Sequence, residues 1–134
     1  MKGIVLLITG LITIGISGCE QKLQPHEGYV QVTGGKIWYK VIGEGPGKPL
    51  MLMHGGPGGR SCTSIAVYEA MAHERPIIFF DQLESGKSDH PNDTNLWKIA
   101  YFVEQVEALR QKLNLKHFHL LGSSWGGSIA VEYM

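Results

Sequence analysis

The chain has 134 residues, with twelve Lys plus Arg against twelve Asp plus Glu and a formal charge of zero at pH 7. That balance gives no electrostatic reason to expect nucleic acid as a partner, while 43% hydrophobic and 9% aromatic residues describe a globular rather than a disordered chain. The length allows one domain at most, and two Cys cannot build a disulfide framework.

In chain order, the first segment reads as an export signal. Lys2 supplies a short positive start, and Gly3 to Ile16 is apolar except at Thr9, Gly10, Thr13 and Gly15. A membrane-spanning helix needs about 20 apolar residues, and Gly and Thr are poor helix formers. The stretch is thus short for a span; an uncleaved anchoring helix is the alternative. Ile16-Ser17-Gly18-Cys19 resembles the bacterial lipobox. The resemblance implies that residues 1–18 are a lipoprotein signal peptide and that Cys19 is the lipidated first residue of the mature chain, outside the cytoplasm and anchored to a bacterial membrane. Removing residues 1–18 takes away one base, Lys2, and no acid. Attachment is therefore expected from acyl chains, at about 0.8 kcal/mol per buried methylene, and not from charge. With Cys19 alkylated, Cys62 has no intramolecular partner and is expected to be a small buried hydrophobe.

Residues 19–27 are polar, contain Pro25 and lack periodicity, as a tether would. A domain is expected over residues 28–134. Tyr29 to Val32 and Ile37 to Ile42 are β-branched and aromatic runs around Thr33-Gly34-Gly35, which predicts a hairpin. Leu50 to Met53 and Ile77 to Phe80 are continuous apolar runs, expected of strands covered on both faces, and Phe118 to Leu121 is expected to be a third such strand. Helices are predicted from about Ser64 to Met71, over Ile99 to Leu113, where apolar residues recur at helical spacing, and from Ser128 to Met134. The alternation predicts an α/β fold whose sheet starts antiparallel and becomes parallel.

Gly122-Ser123-Ser124-Trp125-Gly126 fits G-x-S-x-G, after an apolar strand and before a helical stretch. A nucleophile on so sharp a turn has a strained backbone, and glycines two residues to either side remove Cβ atoms that would collide. Ser124 would then project its hydroxyl, and the Trp125 N–H at the start of the helix would help hold an oxyanion. A plain Gly-Ser turn is the bland alternative. His54-Gly55-Gly56-Pro57-Gly58-Gly59 follows the first buried strand, where an α/β-hydrolase carries the loop with the second oxyanion donor. The Gly56 N–H is the candidate donor, with His54, Gly55, Pro57 and Gly58 shaping the loop and His54 not acting as base. A phosphate loop is the rival reading, but G-K-[ST] and G-x-G-x-x-G spacing are absent.

Together with Asp81-Gln82-Leu83-Glu84-Ser85-Gly86-Lys87-Ser88, these motifs resemble the proline iminopeptidases of the α/β-hydrolase fold, over roughly Tyr29 to Met134. The resemblance implies Ser124 as nucleophile, release of N-terminal residues, often proline, from peptides with a free amino terminus, and no metal or organic cofactor. The family pattern in the middle motif is D-Q-x-G-x-G-x-S. Glu84 stands at its first glycine, at a cost on the order of 1 kcal/mol if φ is positive there. In this fold the triad acid and His follow the nucleophile, whereas His26, His54, His73, His90, His117 and His119 all precede Ser124. The chain is therefore read as the N-terminal portion of the fold, without the cap domain and C-terminal strands and inactive by itself. An esterase or other α/β-hydrolase, or a truncated non-catalytic surface lipoprotein, are the alternatives. His117-x-His119 lacks a third metal ligand, Asp93 and its neighbours are read as a helix cap, and Trp38 and Tyr39 as packing residues. Oligomeric state is not legible.

Overall fold

The computed structural model describes residues 22–56 and 58–134. The signal segment 1–18, Cys19 with the start of the tether, and Pro57 lie outside the described residues. Five strands, β1 (His26–Val32), β2 (Gly35–Ile42), β3 (Leu50–Met53), β4 (Ile77–Phe80) and β5 (His119–Gly122), form one sheet in the order β1-β2-β4-β3-β5. The helices are α1 (Cys62–Tyr68), α2 (Ile99–Lys112) and α3 (Trp125–Tyr133). β1 with β2 and β2 with β4 pair antiparallel, whereas β3 runs parallel to both β4 and β5. This is the α/β arrangement expected from the alternating pattern.

The central strands are continuous apolar runs because both faces are covered. Met51, Met53, Ile78 and Phe80 pack with Phe102, Val106 and Leu109 of α2 and Ile129 of α3. The alternate residues Leu50, Leu52, Ile77 and Phe79 pack with Ile65, Tyr68 and Met71 on the other face. Strand periodicity of two sorts each run cleanly between the two layers. From β3 the chain moves sideways to β4, then back across β3 to β5. Right-handed crossovers in opposite directions put α1 and α2 on opposite faces. Among the described residues no helix is long and apolar enough to cross a membrane.

Several expectations need correction. The third strand is not buried: His119 and Leu121 are exposed, because β5 pairs only with β3 among the described residues and lies at the edge of the sheet. Cys62 is exposed rather than buried, since it begins α1, a helix with no fully buried residue. Of the residues expected to form a tether, His26 and Glu27 belong to β1, where they pair with Val41 and Lys40. The helix predicted from Ser64 starts two residues earlier and ends in a 3-10 turn over Glu69–Met71, and the one predicted from Ser128 starts at Trp125. Asp93 caps the short turn Thr94–Leu96, accepting from the Asn95 N–H, and not α2 itself. Trp38 and Tyr39 are buried packing residues as expected.

α2 and α3 are joined by a polar cluster. Arg110 Nε and Nη2 each donate to the Glu107 carboxylate at 2.7 Å, Gln111 donates to it at 2.7 Å, and the Tyr133 hydroxyl at 2.9 Å. The Arg110 bonds first, then those of Gln111 and Tyr133, hold the Glu107 carboxyl down at about 2. A depressed acid contributes all of its stabilisation above its ordinary value and loses it as pH falls through the lowered one. Stability measured by denaturant titration should therefore drop between about pH 4.5 and pH 2. Tyr133→Phe should cost about 1 kcal/mol or less at pH 7, Glu107 being half-exposed, and should narrow the difference between pH 7 and pH 2.

Candidate functional site

Because β3 and β5 are parallel neighbours, with Met53 opposite Gly122, the residues that follow them emerge side by side at one end of the sheet. Those residues are His54-Gly55-Gly56 and Ser123-Ser124. Ser124 has φ 52 and ψ −116, a left-handed conformation imposed between the strand and the first turn of α3. The close approach of that turn explains the flanking glycines. A Cβ on Gly126 would stand 2.4 Å from the Met53 carbonyl oxygen, and one on Gly122 would stand 2.1 Å from that of Gly126. Gly127 is less tightly placed than Gly126, since a Cβ there would have 3.4 Å to its nearest neighbour.

The Ser124 side chain is exposed, and among the described residues none hydrogen-bonds to its hydroxyl. Its carbonyl accepts from the Gly127 N–H, and that of Ser123 accepts from Gly126. The Trp125 N–H, one residue before these, has no partner among the described residues, and neither has that of Gly56. Both expected donors are therefore free for an incoming oxyanion. Gly55 lies directly against Ser124, where a Cβ would meet Ser124 Cβ at 3.3 Å. Gly56, at φ 136, turns the loop. Gly58 is exposed at φ 86. A cleft of about 380 Å³ opens beside the elbow between His54, Gly55, Arg60, Leu121 and Ser123.

The His54 ring is hydrogen-bonded on both sides within this loop. The Gln82 backbone N–H donates to its Nε2 at 3.0 Å, so the proton of the neutral ring sits on Nδ1, which donates to the Gly55 carbonyl at 2.7 Å. Both ring nitrogens are thus engaged and the ring does not serve Ser124. Gln82 also donates through Nε2 to the His54 carbonyl at 2.8 Å. The role of Gln82, which is 1% exposed, was not foreseen in the sequence; the available signal was the polar pair Asp81-Gln82 following the apolar strand. Asp81 was likewise missed. One carboxylate oxygen accepts from the Ser61 N–H and hydroxyl and the other from the Lys87 N–H, which ties the loops after β3 and β4 together.

Glu84 does adopt the conformation that its family glycine suggests, at φ 66. Its carboxylate offsets part of that strain by accepting from the Asn92 N–H, and it lies 3.7 Å from His90. His117 and His119 are exposed, and no group of three His, Cys, Asp or Glu among the described residues is arranged to hold a metal.

Comparison with known proteins places this geometry among relatives. The family described as alpha/beta hydrolase fold matches residues 48–134. A proline iminopeptidase of Heyndrickxia coagulans is 47% identical over 108 residues, covering 80% of this chain and 37% of that protein. One from Levilactobacillus brevis is 42% identical over 112 residues, covering 81% of this chain and 38% of the relative. The chain thus spans less than two fifths of the length of these relatives. Among solved structures, a proline iminopeptidase of Mycobacterium smegmatis superposes with a TM-score of 0.73 at 30% identity, over 81% of this chain and 38% of that one. An epoxide hydrolase of Mycobacterium thermoresistibile superposes with a TM-score of 0.72 over 82% of this chain and 34% of its own, but at 19% identity it shares the fold alone.

The Glu84 position can be tested by two substitutions. Glu84→Ala keeps the left-handed strain and loses the acceptor for Asn92, whereas Glu84→Gly loses the acceptor but relieves the strain. The glycine variant should therefore be the more stable of the two by about 1 kcal/mol in chemical denaturation.

Proposed function

The chain belongs to the alpha/beta-hydrolase family, and from that premise we propose that it carries the nucleophile half of a serine aminopeptidase of the proline-iminopeptidase kind. One observation carries this reading: Ser124 is held at φ 52 on a strand-to-helix turn, beside a glycine loop whose N–H is free. The identities of 47% and 42% to proline iminopeptidases support the substrate class, a peptide with a free amino terminus.

In this reading Ser124 Oγ attacks the carbonyl carbon of the first peptide bond. In this reading the carbonyl oxygen becomes an oxyanion that accepts from the Trp125 and Gly56 N–H groups, which have no partner among the described residues. Collapse of the intermediate leaves the N-terminal residue as an ester on Ser124 and releases the shortened peptide as an amine; water then frees the acyl group. The base that takes the Ser124 proton follows the nucleophile in the chain order of this fold. His54 is not that base, because its ring is spent on the loop. We further propose residues 1–18 as a lipoprotein signal peptide and Cys19 as the lipidated residue of an extracytoplasmic, membrane-anchored protein, with residues 19–25 as tether and the domain beginning at β1. The supporting observations are the Ile16-Ser17-Gly18-Cys19 pattern and the short apolar stretch before it.

The 134-residue chain should neither hydrolyse proline arylamides nor react readily with a fluorophosphonate probe. The protein read through any coding sequence beyond Met134 should do both, and Ser124→Ala should abolish labelling and lower kcat/KM by four orders of magnitude or more (~10⁴). Rapid labelling of the short chain would show a base within it. Cleavage of esters alone by the longer protein would remove the peptidase assignment and leave the serine hydrolase.

A further inference from the structure

We infer that the end of the sheet opposite Ser124 lies against an anionic phospholipid bilayer, so that the site faces away from the membrane. β1 is antiparallel to β2 and β2 to β4, so β1, β3, β4 and β5 all run the same way. Their starts, His26, Leu50, Ile77 and His119, share one end of the molecule. His54, Asp81 and Ser124, which follow β3, β4 and β5, share the other.

The two ends differ in charge. At the starting end a cleft of about 470 Å³ is lined by Lys22, Lys48, Lys116 and His117 among proline, glycine and leucine residues, with no Asp or Glu in its wall. These three lysines are exposed, and among the described residues none has a carboxylate within ion-pair distance. Glu44 and Glu74 flank the cleft without lining it. The loops at the site end are mixed: Glu84, Asp89, Asp93 and the buried Asp81 stand among Arg60, Lys87 and Lys98.

The described chain begins at this basic end, because Lys22 lines the cleft and Leu23 packs against the core. The inference rests on the proposed lipidation of Cys19 for its orientation. Lys22 is three residues from Cys19, at most about 11 Å of extended chain, which puts it close to one Debye length from the headgroups. At that range each lysine is attracted to an anionic surface, whereas the mixed charges of the site end give a weaker net attraction. Acyl chains would hold the protein to the membrane and the lysines would decide which face it presents. Peptides would then reach Ser124 from the aqueous side.

Amide hydrogen exchange on the full chain tests this, with vesicles of phosphatidylglycerol and phosphatidylcholine against vesicles of phosphatidylcholine alone. Exchange at Gly47 to Lys48 and at Leu113 to His117 should slow only on the anionic vesicles. That protection should fall about fivefold for each of Lys22→Ser, Lys48→Ser and Lys116→Ser. Equal protection on both vesicles would overturn the inference, as would protection of residues 54–60 and 123–127 instead, or the same slowing by inorganic phosphate without vesicles. Intact mass separates the two proposals. Anionic-specific protection in an unacylated chain supports the face while removing the anchor, and its absence in an acylated chain removes the face while the anchor stands.

Discussion

The arrangement of the site depends on one close approach, that of the first turn of α3 to the end of β3. With only hydrogen at the Gly126 α-carbon, the turn closes to where a methyl group would sit 2.4 Å from the Met53 carbonyl oxygen. This proximity accompanies the sharp turn at Ser124, whose side chain is left exposed at the start of α3. A larger residue at Gly126 would lift the helix from the sheet. The left-handed backbone at Ser124, which costs on the order of 1 kcal/mol, is sustained because strand, helix and flanking glycines leave no alternative path.

Above the apolar core, the ends of β3 and β4 are joined by buried polar groups. His54, Ser61, Asp81, Gln82, Ser85 and Ser88 are all buried. Such groups are costly to bury unless paired, and paired they specify a single loop conformation. Gln82 spans the gap by holding both the ring and the carbonyl of His54, while Ser88 accepts from the Trp38 N–H and donates to the Asp81 carbonyl. Two polar atoms near this layer, Gln82 Oε1 and Trp125 Nε1, are buried without a partner. The glycine loop after β3 is thus held by hydrogen bonds to a neighbouring strand end.

The two layers of the molecule do different work. Apolar residues alternating along β3 and β4 hold the sheet between α1 and α2, and polar residues one step beyond each strand determine where the reactive groups stand. Glu84 shows how a local departure is accommodated: the backbone keeps the left-handed turn of its family's glycine, and the new carboxylate takes over a loop N–H.

The sequence by itself determined the α/β class, the hairpin, the limits of β3 and β4, and the position of Ser124 between strand and helix. Each of these follows from local pattern: periodicity of two or 3.6, turn residues, and a pentapeptide whose glycines have a steric reason. Tertiary structure decided the rest. The run at 118–121 is apolar apart from His119, yet Leu121 is 42% exposed because, among the described residues, β5 pairs with β3 alone, a relation that no local pattern encodes. Cys62 looked like a buried hydrophobe and is exposed because α1 covers the sheet with Ile65 and Tyr68 instead. The clamp of Gln82 on His54 joins residues 28 positions apart. It exists only because β3 and β4 are neighbours whose ends meet, a relation fixed by long-range packing.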